Sequence, residues 1–414
     1  MNSHRFINIS HELCVQAVLE AFDKKWLRRD FVLTASKYSG VSYMELRNSI
    51  EQNDLNVRLE IAEGIAYELE QRIEDLMNGD SDNLDLDPVQ VFHRIDGISM
   101  KNRELASCCP LHQVFSHLMV LSLKPLFKSR FLPSQFASIP GKGQVALKTQ
   151  VERWLRKASL GINYAIKLDV RNAYKNTKKE VVMRILEKEI PKAKTILCVM
   201  DQLLSMSPNS GLIIGGYLEA WLFNFVASYA LREIQGYIKI RRHKVRRLVI
   251  RVLSYMDDFS LFGSRLADLT KSARDITKWM RENLNLEVKK NWEIISFISS
   301  KAEIGRRKLE GAKSGCPGID VAGFVIHRTY TTIRPKIFLK LRRQFLRAAN
   351  DLKNLGHIQL WRARKIVSYY GYFKHTKSYT AAHNLGAKEI MCSAKYMIKI
   401  YAKGDVANAD KGNS

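Results

Sequence analysis

Residues Val249 to Gly263 read VIRVLSYMDDFSLFG, and the fold turns on how this stretch is understood. Apolar and β-branched residues flank two adjacent carboxylates, Asp257 and Asp258, in the pattern of two strands joined by a tight turn. The pattern predicts a hairpin with the aspartates at or beside its turn, at a sheet edge. Neighbouring strand residues point to opposite faces, so the two carboxylates are expected to differ in role. Asp257 is the expected obligatory metal ligand and Asp258 its helper. An Asp pair in a turn is by itself ordinary turn chemistry, so the remaining sequence has to decide between a turn and a site.

The chain has 414 residues, with 67 Lys and Arg against 41 Asp and Glu, for a formal net charge of +26. That length accommodates two or three domains with a packed core. The charge implies a polyanionic partner, because each cation that displaces a counterion from a phosphate backbone adds salt-sensitive affinity. A membrane surface would instead require an anchor or a basic amphipathic helix, and no signal peptide or lipidation motif is read at either end. Gly211 to Leu231 has about the length of a bilayer span. It contains Glu219 and Asn224 and opens with Gly211, Gly215 and Gly216, which predicts a buried helix after a glycine-rich turn. Six cysteines without disulfide-like or CxxC spacing fit a reducing, cytoplasmic setting. Cys108, Cys109, His112 and His117 match no common zinc spacing and fall in a segment that reads as a helix.

Along the chain, residues 1 to 95 carry 10 basic and 17 acidic side chains, so a separate acidic module is expected over 1–88. Val57, Ile61, Ile65, Leu69, Ile73 and Leu76 form an amphipathic stripe. Packing against helices within 11–38 and 43–51 is preferred over self-association as the cover for this stripe, although a homo-oligomer through this module is the alternative. From residue 96 to 333 the net charge is +20. There Lys101 and Arg103 lie in ISMKNRELA, and Lys142 lies between two glycines in SIPGKGQVAL, ahead of a helix predicted at 145–157. A glycine-flanked lysine brings ammonium and backbone N–H groups close to a phosphate. NYAIKLDVRNAYKNT then leads an apolar strand to Asp169, with Tyr174 five residues on. Residues 334 to 404 hold 16 basic and 2 acidic side chains, with Ile337, Leu341, Phe345 and Leu352 marking a helix and SYYGYFKHTKSY mixing aromatics with lysines.

In this order the segments resemble the motifs of reverse transcriptases over about 95–380. Tyr255-Met256-Asp257-Asp258 between apolar strands resembles motif C, the strand ending at Asp169 motif A, and residues 205–224 the glycine-rich motif B. Glu219-Ala220 stands where many relatives have Ser-Gln or Ser-Pro. Lys289 and Lys290 close a stretch similar to motif D, and both are candidates for its lysine; Val321–Val325 with Thr331–Arg334 is similar to the primer-grip hairpin.

The resemblance implies an α+β right-hand polymerase, with fingers and palm over 89–333, a basic helical thumb over 334–404, an N-terminal α-helical extension over 1–88 and a disordered tail over 405–414. It implies a Mg²⁺ site at Asp169, Val170, Asp257 and Asp258, with Lys289 or Lys290 as general acid on pyrophosphate. It further implies substrate contacts at Lys101, Arg103, Lys142, Tyr174, Gly215, Tyr255 and Met256, with the Tyr174 ring excluding a 2′-hydroxyl. The implied activity is RNA-directed DNA polymerisation from dNTPs, with an RNA template, co-encoded or not, and a DNA product. The chain resembles bacterial and phage reverse transcriptases related to the group II intron and retroelement enzymes. No HNH nuclease, RNase H or integrase constellation is read after the thumb, which favours a free-standing antiphage-defence enzyme, with a diversity-generating or other retroelement enzyme as the alternative. An RNA-dependent RNA polymerase and a catalytically silent RNA-binding scaffold are the rival readings.

Overall fold

The structure, a computed structural model, describes residues 8–95, 102–298 and 317–402. Four helices come first: α1 (His11–Phe22), α2 (Arg29–Ser39), α3 (Tyr43–Glu51) and α4 (Leu55–Asn78). Local chemistry sets the ends of α4. The Asp54 side chain accepts from the backbone N–H groups of Asn56 and Val57, and Gly79 stops the helix in the left-handed region at φ 82°. Ile61, Ile65, Leu69 and Ile73 of the expected stripe are buried, and α4 packs against α1 and α2.

The acidic segment does not stand apart from its neighbours in the fold. Helix α1 also packs on α5 (Pro110–Arg130), where Lys25 Nζ donates to Gln113 Oε1 at 2.9 Å and Glu20 lies 3.7 Å from His117 Nδ1. The change in charge sign near residue 95 therefore marks no break in packing. Between these helices, β1 (Gln90–Ile95) and β2 (Asn102–Ser107) form an exposed antiparallel hairpin in which Arg94 faces Arg103.

After β3 (Gln135–Phe136) come α6 (Gln144–Arg156), β4 (Tyr164–Asp169), α7 (Ala173–Asn176), α8 (Lys179–Glu189), α9 (Lys194–Ser205) and α10 (Tyr217–Gly236). A basic hairpin, β5 (Ile238–Arg241) and β6 (Lys244–Arg247), leads to β7 (Arg251–Tyr255) and β8 (Asp258–Gly263). Helix α11 (Leu266–Leu284) and β9 (Glu293–Ser296) come next. Five strands hydrogen-bond in the order β3-β7-β8-β4-β9, with β3 parallel to β7.

The β7–β8 hairpin is therefore interior to the sheet, not at its edge. Val252, Leu253, Ser254, Phe259, Ser260, Leu261 and Phe262 are buried without alternation, which is the burial pattern of a strand covered on both faces. The carboxylates lie at the strand ends instead of the lateral margin. After α11, Val288 makes a single antiparallel bridge to Val170.

The chain forms two compact units. One comprises Met1–Ile139, Lys167–Leu261 and Thr270–Glu293; the other comprises Pro140–Ile166, Phe262–Leu269 and Ile294–Ser414. The second contains a three-stranded antiparallel sheet of β10 (Ile319–Val321), β11 (Phe324–Ile326) and β12 (Thr331–Ile333). Its helices α12 (Pro335–Leu355), α13 (Leu360–Lys374), α14 (Tyr379–Asn384) and α15 (Ala387–Ala402) enclose a core that includes Ile337, Leu341, Phe345, Ile366 and Phe373. Arg342, Arg343 and Arg347 are exposed on α12, whereas Tyr369, Tyr370 and Tyr372 pack on the core instead of lining a basic surface. Among the described residues, no helix is long and apolar enough to cross a membrane.

Candidate active site

Within the first unit, three backbone segments are tied together at the ends of β4, β7 and β8. Asp169 is the last residue of β4, and the N–H of the next residue, Val170, donates to the Asp257 carbonyl at 3.1 Å. The Lys289 N–H donates to the Asp169 carbonyl at 2.9 Å. Asp257 sits in the turn between β7 and β8, and Asp258 opens β8. Although Asp257 as a whole is exposed, enough protein surrounds its carboxyl that lost hydration raises its pKa. The charge of Asp169 raises it further, while Lys289 and Arg103 act in the opposite direction. Asp169, Asp257, Lys289 and Arg103 therefore share one electrostatic neighbourhood.

Of the two candidate lysines, Lys289 is the one brought to Asp169: its Nζ lies 2.8 Å from Asp169 Oδ2. Lys290 is exposed. The other oxygen of the same carboxylate, Asp169 Oδ1, is buried and has no hydrogen-bond partner. A buried acceptor lacking a donor is costly, and a hard cation would satisfy it. Among the described residues, no three His, Cys, Asp or Glu side chains come together closely enough to hold a metal ion by themselves. Mg²⁺ in such a place is compatible with one or two carboxylates, the remaining ligands being water, carbonyl or phosphate oxygens. The all-oxygen donors here suit that chemistry.

Tyr174, on the short helix α7, has its ring stacked on Phe223 of α10 at 5.3 Å and 19°, and its hydroxyl contacts Met256 Sδ at 3.9 Å. Burial, and then the negative charges of Asp257 and Glu219, raise its pKa, so the phenol remains protonated. The glycine loop fixes this placement. The Leu212 N–H donates to the Tyr174 carbonyl at 3.0 Å, and a Cβ on Gly211 would collide with the Lys175 carbonyl. Met256 occupies the left-handed region at φ 52°, a strained choice for a long side chain. Asn224, 1% exposed, supports that turn: its Nδ2 donates to the Ala137 and Ala220 carbonyls at 3.2 and 3.0 Å and approaches Met256 Sδ at 3.8 Å.

Sequence reasoning did not assign a function to Glu219. It lies in the first turn of α10, is 6% exposed, and its Oε2 has no hydrogen-bond partner. Burial pushes its pKa up to about 7, against a smaller opposing effect of its own backbone N–H. Any side chain at Gly216 would run into this carboxyl. The available signal was an acid inside the apolar run Gly211–Leu231, where burial without a counter-charge was the inference to draw.

The other expected residues are spread more widely. Tyr255 ends β7 and pairs with Phe136 of β3. Gly215 has φ 105° and approaches the Ala106 carbonyl, while the Ala106 N–H donates to the Ile214 carbonyl at 3.2 Å, so the glycine loop joins β2. Lys142 lies in the second unit before α6, and burial lowers its pKa. Lys101 lies outside the described residues. Compared with known proteins, the chain matches no family model and none of the curated proteins.

Proposed function

We propose that the chain is a reverse transcriptase, an RNA-directed DNA polymerase that adds dNTPs to a primer 3′-hydroxyl with the help of Mg²⁺. The observation that carries this reading is the convergence of Asp169 and Asp257 from separate strands, with Lys289 beside them and one buried Asp169 oxygen unsatisfied. Asp169 and Asp257, with the Val170 carbonyl, would hold the metal, and Asp258 would assist as the helper carboxylate. Bound there, Mg²⁺ would lower the pKa of the attacking hydroxyl and offset charge on the leaving phosphate.

The chain's own residues account for the rest. Lys289, beside Asp169, would give a proton to departing pyrophosphate. Tyr174, held by Phe223 and Met256, would close the space beneath C2′ of the incoming sugar and so select deoxynucleotides. Arg103 adds positive charge facing Asp257, where a triphosphate would need it. In this reading residues 89–333 are fingers and palm, and 334–404 a thumb whose exposed Arg342, Arg343 and Arg347 track a duplex along its backbone.

The test is primer extension by the full chain on an RNA template with Mg²⁺ and single dNTPs. Extension that Asp257→Asn abolishes without changing the melting temperature supports the reading. A wild-type preference for rNTPs would shift the assignment to an RNA polymerase. Template binding without any incorporation would leave an RNA-binding scaffold.

A further inference from the structure

Strands β5 and β6 form a two-stranded ribbon that hydrogen-bonds to no other sheet among the described residues. Its sequence, IKIRRHKVRR, has six Lys or Arg, one His and no acid. The register separates these side chains by face. Lys239 pairs with Arg246, and Arg241 with Lys244, so all four cations share one face as directly opposed like charges. Ile238, Ile240 and Val245 fall on the other face, 50%, 68% and 65% exposed, with Arg247 opposite Ile238 as the one cation there. The tip, Arg242-His243, adopts positive φ at both residues, 50° and 61°, where Asn-Gly would be the low-strain choice. A lone two-stranded ribbon is marginal in water, and opposed cations weaken it further. At its base the Leu248 N–H donates to the Tyr237 carbonyl at 3.0 Å, and buried Leu248 and Val249 anchor it beside β7.

We infer that the cationic face of β5–β6 is a docking surface for the phosphate backbone of double-helical nucleic acid. Charge complementarity points to a polyanion, and the spacing narrows the choice. Cations two residues apart on a strand stand about 6.8 Å apart, close to the axial rise of two nucleotides in a duplex strand. Residues 238–247 include no Phe, Tyr or Trp on which successive unpaired bases could stack, His243 at the tip being the one aromatic ring, which disfavours a single-stranded ligand. An anionic membrane is disfavoured by the same lack of aromatic anchors. This surface is independent of the polymerase reading, because it requires neither metal nor nucleotide.

The test compares two full-length variants with wild type: Lys239→Thr, Arg241→Thr, Lys244→Thr and Arg246→Thr together, and Ile238→Thr, Ile240→Thr and Val245→Thr together. Binding to a DNA duplex of about 20 base pairs, and to an unstructured DNA strand of the same length, is measured by fluorescence anisotropy from about 50 to about 300 mM KCl. The cationic-face variant is expected to lose about tenfold or more in duplex affinity, and its slope of log affinity against log salt should fall by about 3. The aliphatic-face variant should bind as wild type. A third variant, with residues 238–247 replaced by Asn-Gly, should show the same loss and covers the case in which the fourfold variant does not fold. An unchanged slope, a loss confined to the single strand, or preferential binding of the ribbon to phosphatidylserine vesicles would overturn the inference.

Discussion

The ammonium of Lys289 lies 2.8 Å from one oxygen of Asp169, while the other oxygen of that carboxylate is buried without a partner. One acid thus shows both a cation contact and an unmet acceptor, as a ligand awaiting a second positive charge would. Asp169→Asn and Asp257→Asn are each expected to lower Mg²⁺-dependent dNTP incorporation by about a thousandfold or more, about 4 kcal/mol in the barrier. Asp258→Asn should retain measurable activity. Single-turnover incorporation checks all three, and wild-type rates in Asp257→Asn would show that the site is misassigned.

The same contact separates two adjacent lysines. Lys289→Ala should slow incorporation by roughly a hundredfold, in the range of a lost general acid, whereas Lys290→Ala should stay within about threefold of wild type. The measurement is kcat for each variant at saturating dNTP. Equal losses would mean that general basicity, not the Asp169 contact, is what matters.

Tyr174 offers a test of sugar choice. If its ring closes the space beneath C2′, Tyr174→Ala should raise rNTP kcat/KM by about ten- to a hundredfold and reduce that for dNTP, each factor of ten corresponding to about 1.4 kcal/mol. Matched dNTP and rNTP additions on one RNA template provide the comparison. An unchanged ratio would dissociate Tyr174 from selection even though it stacks on Phe223.

Glu219 makes a prediction about stability that does not depend on catalysis. Its pKa rises from 4.5 to about 7 on folding, so between those values the folded chain holds a proton that the unfolded chain has lost. Its contribution is therefore fully present below about pH 4.5 and is lost as pH rises through about 7, a difference on the order of 3 kcal/mol. Glu219→Gln should flatten this dependence and raise the melting temperature at about pH 8 relative to wild type. Parallel melting profiles for the two proteins would contradict a neutral buried carboxyl.

The N-terminal helices yield a second stability test. Because α1 packs on α5 as well as on α4, removing residues 1–88 should uncover apolar surface on α5 and give an insoluble or inactive protein. A soluble truncation with basal polymerase activity would mean that α5 does not depend on this cover.

Much of this was readable in the amino-acid order, for identifiable reasons. Strand-turn-strand patterning around Asp257 and the apolar run into Asp169 are local signals, and both fix where a side chain falls along its strand. The choice of Lys289 over Lys290 was not readable, because it depends on a one-residue bridge between Val170 and Val288 that has no strand-length pattern. Nor was the packing of α1 on α5, since the charge imbalance of residues 1–95 describes their solvent faces and says nothing about their apolar ones. The interior position of the hairpin depends on which strands flank it, and no window of sequence contains that information.

The strand order β3-β7-β8-β4-β9 also has a consequence in time. Apart from the β7–β8 hairpin, sheet neighbours come from stretches far apart along the chain, and β3 joins β7 in parallel, so few of these pairings can form while a nascent chain is short. Asp169 emerges from the ribosome long before Asp257, and the segment bearing Lys289 comes after both. The two acids are thus kept from facing each other until the hairpin docks. Their mutual repulsion arises only once the hairpin docks, and Lys289, which offsets it, lies later in the chain than either acid.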